Sequence, residues 1–208
     1  MALILLACLM AAPAIGFAQD DEPRMNAETF EGLALRGIGP ANKAGRISDL
    51  LIHPQNENTW YVAVGSGGIW KTTNAATTWT PLFDDEASSS IGCLAADPSN
   101  PNVIWAGTGE DSGGRHVAWG DGVYRSDDGG RTWKNMGLKN SEHIARIIVS
   151  PDNSDVIYVA AQGPLWSKGG DRGFFKSTDG GQTWKKTLGD DEWTGVTDIV
   201  IDPRDPNR

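Results

Sequence analysis

Cysteine is almost missing from this chain: its 208 residues hold two, and Cys8 lies within an apolar leader. With that leader removed Cys93 stands alone, so no internal disulfide forms even in an oxidising compartment. Set in an apolar run, Cys93 is expected to pack as a small buried residue. Histidine is equally scarce, three scattered residues with no zinc spacing. There is no P-loop, and Gly107-Thr108-Gly109 lacks the rest of a dinucleotide fingerprint; no cofactor and no metal is expected. Positive charge is in deficit, 18 Lys and Arg against 27 Asp and Glu for a formal net charge of −9, which argues against nucleic acid or an anionic membrane surface as a partner. No Asn-x-Ser/Thr acceptor occurs.

One apolar run breaks the polar composition. Ala2 to Ala18 carries no charge, is short for a membrane span, and is followed at once by Asp20-Asp21-Glu22. Gly16-Phe17-Ala18 supplies small residues at the two positions a signal peptidase reads, so residues 1–18 are expected to be a cleaved secretory signal, although no Lys or Arg precedes them. Leu5-Leu6-Ala7-Cys8 has only a weak lipobox character. The expected location is secreted, periplasmic or cell-surface, with no membrane span after cleavage.

What the chain does contain is a repeat. Ser126-Asp127-Asp128-Gly129-Gly130-Arg131-Thr132-Trp133 returns as Ser177-Thr178-Asp179-Gly180-Gly181-Gln182-Thr183-Trp184, and a worn copy stands earlier as Thr72-Thr73-Asn74-Ala75-Ala76-Thr77-Thr78-Trp79. The terminal tryptophans are 54 residues apart (79 to 133) and then 51 apart (133 to 184), a period of supersecondary size. Each copy reads as a tight hairpin. Ser or Thr and Asp or Asn accept hydrogen bonds from the turn's own N–H groups. Gly130 and Gly181 supply a positive φ, and Trp133 and Trp184 are expected to lie buried as anchors opening the return strand. A calcium loop is rejected, because the twelfth position from Asp127 is Leu138 where a bidentate Glu is required.

A proline closes four apolar segments, Arg46–Pro54, Ser90–Pro98, His143–Pro151 and Gly195–Pro203, which superpose as first strands. Their cores, such as Leu50-Leu51-Ile52 and Ile147-Ile148-Val149, are continuous rather than alternating, as in strands covered on both faces. Second strands follow at Trp60–Val64, Val103–Gly107 and Val156–Ala160. The fourth copy reaches Arg208 in the turn before its second strand, so further blades are expected, since each repeat covers its faces only against neighbours. The expected division is a lead-in over 19–40 and a partial repeat array over 41–208, with units at about 44–86, 88–138, 141–190 and an incomplete 193–208.

The phrase S-x-D-x-G-x-T-W is similar to the Asp-box, or BNR repeat. The resemblance implies an all-β fold, a β-propeller of four-stranded antiparallel blades with the box between a blade's third and fourth strands. It also implies structural roles for Asn74, Trp79, Ser126, Asp128, Gly130, Trp133, Ser177, Asp179, Gly181 and Trp184. From Arg36-Gly37-Ile38-Gly39-Pro40 onward the chain resembles secreted bacterial Asp-box proteins related to the sortilin ligand-binding domain and often labelled glycosyl hydrolases. In xyloglucan-cleaving propellers the first blade resembles His53-Pro54 through Gly67-Gly68-Ile69-Trp70, with a catalytic Asp two residues before the paired glycines. Here that position is Gly65, and the carboxylate is absent. The Phe-Arg-Ile-Pro-like motif of sialidases is not found.

Strand order puts the boxes and proline turns on one face and the loops after the second strands on the other. Long loops on a rigid scaffold are where function concentrates. The candidate ligand-binding residues are therefore Glu110, Asp111, Arg115, His116, Trp119 and Asp121 in the longest loop, and Trp166 and Arg172 in the next. Trp119 offers a flat platform suited to a sugar or an aromatic side chain, and Glu110 and Asp111 are candidates for one half of a glycosidic carboxylate pair. A column in the first strands, Asp49, Cys93, Arg146 and Asp198, is expected to hold a buried structural Arg146–Asp198 ion pair. Two functions stay open: a module binding an extracellular or periplasmic peptide, protein or polysaccharide, or an extracellular glycoside hydrolase, xyloglucanase- or sialidase-like. Its remaining blades are the other expected partner.

Overall fold

The computed structural model describes residues 46–111, 114, 116–202, 204 and 205. The expected signal, the lead-in and Arg115 lie outside the described residues. Twelve strands form three four-stranded antiparallel sheets. The first joins β1 (Ile47–Ile52), β2 (Trp60–Val64), β3 (Gly68–Thr72) and β4 (Thr80–Pro81). The second joins β5 (Ile91–Ala96), β6 (Ile104–Thr108), β7 (Val123–Ser126) and β8 (Lys134–Asn135). The third joins β9 (Ile144–Val149), β10 (Ile157–Ala161), β11 (Gly173–Ser177) and β12 (Lys185–Leu188). Each sheet is a meander in chain order, the blade of a β-propeller.

The hydrophobic core lies between blades. One cluster gathers Tyr61, Ala63, Ile69 and Phe83 of the first blade with Ile91, Leu94, Ile104, Ala106 and Tyr124 of the second. The other joins Cys93, Val103, Trp105 and Val123 to Ile144, Ile147, Val149, Ile157, Val159 and Phe175. Phe83 meets Tyr124 and Trp133 edge-on, both at 5.1 Å, the geometry aromatic quadrupoles favour. Cys93 is buried, and desolvation pushes its thiol well above the usual range. The first strands β5 and β9 of the second and third blades are covered as their apolar cores require. In β1, by contrast, Ile47, Leu50 and Ile52 are exposed, because among the described residues no blade packs on that side.

The repeat turns explain themselves from local hydrogen bonds. Ser126 Oγ donates to Asp128 Oδ1 at 2.8 Å and accepts from the N–H of Gly130 at 2.8 Å. Asp128 Oδ1 accepts from the N–H groups of Arg131 and Thr132, and Oδ2 from the Thr132 hydroxyl at 2.7 Å. Ser177, Asp179 and Thr183 repeat the pattern. The worn copy keeps it too: Thr72 Oγ1 accepts from Ala76 N–H, and Asn74 Oδ1 accepts from Thr78 N–H. Its Ala75 and Ala76 take the left-handed conformation (φ 51° and 69°) that Gly129 and Gly130 hold at 72° and 90°, at about 1 kcal/mol or more per alanine. All three turns lie against the first-to-second-strand turn of their own blade, through Ala75 N–H to Asn58 O, Gly129 N–H to Asn102 O and Gly180 N–H to Asp155 O. This places the repeat turns and proline turns on one face, as expected.

These carboxylates predict an acid transition. Asp128 is held at about 2, chiefly by the Thr132 N–H and hydroxyl, and Asp179 at about 2, chiefly by the Thr183 hydroxyl and N–H, against an ordinary value of 3.8. A carboxylate with a depressed folded-state value contributes stability above its unfolded value and loses it as pH falls through the folded one. Thermal melting scanned downward from about pH 5 is therefore expected to fall most steeply between about pH 4 and pH 2. The double variant Asp128→Asn, Asp179→Asn melts lower at the upper end and shows a shallower fall. Parallel curves for the two proteins would remove the turns from the cause.

Four expectations need correction. Trp133 and Trp184 are half-buried rather than buried, and Trp79 is 37% exposed. The Trp133 and Trp184 rings each donate Nε1–H to the blade before, Trp133 to Leu82 O at 2.9 Å and Trp184 to Met136 O at 2.7 Å, which keeps these indoles at the blade margin. The fourth first strand does not form: residues 195–201 carry no strand and only the bridge Asp202 to Asp205 is seen, because no described segment pairs alongside as β2, β6 and β10 do for the others. The Arg146–Asp198 pair does form, at 3.1 Å, but its side chains are 44% and 58% exposed, since no further blade covers it among the described residues. Full coverage of the first strand β1 fails for the same reason.

Candidate functional site

The face opposite the repeat turns is built where second strands end and first strands begin. One backbone bond recurs there: Gly65 N–H to Arg46 O, Gly109 N–H to Ser90 O and Gln162 N–H to His143 O. It anchors the root of each loop to the start of its own blade. Bulges at the same place in all three first strands, opposite Val64, Thr108 and Ala161, turn the chain as it enters the sheet.

The long loop between β6 and β7 is pinned along its length. Gly109 turns it at φ 86°, and a Cβ there would lie 1.7 Å from Glu142 O, so only glycine fits. Glu110 N–H bonds Ala118 O, and Gly120 N–H bonds Glu142 O. Ser90 Oγ lies 2.7 Å from Gly65 O and 2.9 Å from Ala118 O, its one hydroxyl proton shared between them, and Ser88 Oγ donates to Trp119 O at 2.9 Å. Asp121 faces inward, accepting from the Tyr124 hydroxyl at 2.7 Å, and burial pushes that phenol up to about 12. Trp119 and His116 face solvent, Trp119 at 68%.

Glu110 is the centre of this face. It is 1% exposed and pairs with the Arg46 guanidinium. Its Oε1 lies 2.7 Å from where a Cβ on Gly65 would stand, so the Glu110 carboxylate occupies the room that a side chain at Gly65 would need. The Glu110 carbonyl is held by buried His143 Nδ1 at 2.9 Å. The other nitrogen of that ring has no partner among the described residues, and burial lowers the imidazole's pKa. Asp111, half-buried, has its carboxyl raised above the usual range, first by desolvation and further by nearby Asp49 and Glu110. Gln162 Nε2 donates to Asp111 O at 3.0 Å.

The structure thus brings Glu110 and Asp111 together with Arg46, His143 and Gln162, which sequence reasoning missed. Gly65, already singled out, was the available signal. The next loop, 162–172, divides its candidates. Trp166 is 74% exposed, whereas Arg172 is buried and donates to the carbonyls of Gly169, Trp193, Pro164 and Ser167 at 2.6–2.9 Å. Among the described residues no three His, Cys, Asp or Glu side chains cluster as metal ligands.

No family model matches the chain. Among curated proteins it is similar to a xyloglucanase of Hypocrea jecorina, 28% identical over 199 residues covering 89% of this chain and 22% of that one. An oligoxyloglucan-reducing end-specific xyloglucanase of Emericella nidulans is 26% identical over 180 residues, 77% of this chain and 20% of that one. The chain therefore spans about a fifth of the length of the curated relatives it matches. Among solved structures, the GH74 enzyme of Niastella koreensis superposes over 68% of this chain and 21% of its own, with TM-score 0.53 and 26% identity. The GH74 xyloglucanase of Xanthomonas campestris does so over 76% and 25%, with TM-score 0.56 and 16% identity. The described residues thus form three blades of an all-β propeller, and the chain is similar in sequence and in fold to xyloglucanases.

Proposed function

We propose that this chain is part of an extracellular glycoside hydrolase that binds a xyloglucan-type polysaccharide across the face carrying Glu110. The observation that supports it is the similarity to named xyloglucanases along 89% of the chain. The peptide- or protein-binding module suggested by the sortilin-like resemblance gains no support from these relatives. Secretion fits the apolar run of residues 1–18.

In this reading Trp119 and Trp166 are platforms for pyranose rings, whose apolar faces stack on exposed indoles. Asp111 is the candidate general acid, since its raised pKa keeps it protonated further toward neutral pH. Glu110 puts a carboxylate where Gly65 has none and holds Arg46 toward the sugar. Glycoside hydrolysis needs two carboxyl groups at a set separation, and the partner of Asp111 is assigned to the remaining blades.

The test is reducing-sugar release from xyloglucan by the complete protein. Asp111→Asn is expected to lower kcat by about 100-fold or more with the melting temperature unchanged. Trp119→Ala is expected to raise KM about tenfold, the equivalent of ~1.4 kcal/mol of lost stacking. Unchanged turnover and unchanged xyloglucan affinity in both variants would sink the assignment.

A further inference from the structure

We propose that Tyr158 and Lys176 form an open clasp that seats the paired-glycine turn of the blade begun by residues 195–202. The same two positions recur in every sheet. Tyr61 faces Lys71, Trp105 faces Arg125 and Tyr158 faces Lys176 across the second and third strands. In each, the cation lies over the ring, at 4.9, 5.4 and 5.2 Å from its centroid.

In the first two blades this pair is occupied by the repeat turn of the blade that follows. Gly129 O accepts from the Tyr61 hydroxyl at 3.2 Å and from Lys71 Nζ at 3.0 Å. Gly180 O accepts from Arg125 Nη1 at 3.2 Å. The second glycine of each turn lies beside the ring: a Cβ on Gly130 would stand 3.6 Å from Tyr61 Cε1, with Leu82 Cδ1 nearer at 2.5 Å, and one on Gly181 would stand 2.6 Å from the Trp105 ring. The turn's tryptophan supplies a third point, bonding the carbonyl three residues beyond the preceding blade's own tryptophan, Leu82 O or Met136 O.

The third blade carries the receptor half alone. Among the described residues no hydrogen bond reaches the Tyr158 hydroxyl or Lys176 Nζ; their only interactions are with each other and with the Phe174 ring, stacked at 5.8 Å. Thr187, three residues beyond Trp184, is the residue that corresponds in sequence to Leu82 and Met136. The occupant is identified by what already lies alongside: Val196 N–H bonds Ala161 O at 3.0 Å, and Asp198 meets Arg146, so the fourth repeat begins against this blade. The worn turn, in the first described blade, carries alanines at the two glycine positions.

The probe is the rate at which each lysine amine is acylated, read by peptide mass analysis. Two chains are compared: the 208-residue chain, and the same chain extended after Arg208 by a second copy of its own residues 103–138, which supplies the three further strands of a fourth blade and a paired-glycine turn while leaving the Lys176 and Lys71 peptides unique. Lys71 is the internal reference, protected in both. Lys176 is expected to react at least about fivefold more slowly in the extended chain, the protection of one good hydrogen bond. Changing the second glycine of the appended turn to leucine is expected to restore fast reaction. Lys176 reacting equally fast in both chains while Lys71 stays protected overturns the proposal, whether the added blade folds elsewhere or not at all. Protection of Lys176 in the 208-residue chain that grows with protein concentration also overturns it, because the occupant is then a second copy. A reactive Lys71 removes the premise.

Discussion

Gly181→Leu is expected to cost about 3–5 kcal/mol and Gly181→Ala about half of that, both from the same two causes. Gly181 holds φ 84°, and an added Cβ would lie 2.6 Å and 3.0 Å from two carbons of the Trp105 ring. Trp105 is fully buried in the core between the second and third blades, so the ring cannot swing away without opening that core. Gly129→Ala is the control. Its φ of 72° imposes similar backbone strain, but its nearest neighbours stand at 3.3 Å or more and the closest is the flexible end of Lys71. Denaturant unfolding of the three variants separates strain from collision. Equal losses for Gly181→Ala and Gly129→Ala would mean that the ring is no hard stop and that the glycine serves the turn alone.

Arg172→Met should be nearly as damaging, at about 3 kcal/mol or more, because it removes the four hydrogen bonds through which one buried guanidinium holds the loop together, the one to Pro164 O fully buried. The guanidinium bonds Pro164, Ser167 and Gly169 within its own loop and Trp193 in the segment leading to the fourth repeat. A Cβ on Gly163, at φ 75°, would stand 2.5 Å from Arg172 Cβ, so the loop folds closely about this side chain. The expected signature is a lower melting temperature together with fast amide exchange confined to 162–172 and 189–195. Arg172→Lys restores charge but not the planar fork and is expected to recover only a part. A variant that melts like the parent, with the loop still protected, would show that packing of the aliphatic stem suffices.

The two experiments probe different layers of one design. Gly181 reports how a blade sits on its predecessor, and Arg172 how the 162–172 loop is kept in shape. Under the proposed function, xyloglucan affinity distinguishes them from Trp119: Trp119→Ala is expected to spare stability, whereas the Gly181 and Arg172 variants are expected to lose binding only as they lose structure.

The hairpins were legible because their determinants lie within eight residues of each other. Ser126 to Gly130 and Asp128 to Thr132 are hydrogen bonds between residues four apart, and such contacts need nothing from the rest of the chain. The period of the tryptophans and the closing prolines then sufficed for three blades and for the sorting of turns and loops onto opposite faces. The fourth first strand was over-read for the same reason: its letters match, yet a strand needs a neighbour.

The candidate site was legible only as a list of loop residues. Glu110 and Asp121, Trp166 and Arg172 look alike in sequence, polar or aromatic letters among glycines. Glu110, Asp121 and Arg172 turn inward, onto Arg46, Tyr124 and loop carbonyls respectively, while Trp166 stays exposed. Gly65 reads as a missing carboxylate along the chain; in space a glutamate 45 residues later (65 to 110) lies against it and pairs with Arg46. His143, which reads as the first letter of a strand, holds that glutamate's carbonyl. Local hydrogen bonding, acting over four residues, thus wrote the blades, while the site came from blade-on-blade packing, in which each side chain's partner is set by a rotation that no local pattern encodes.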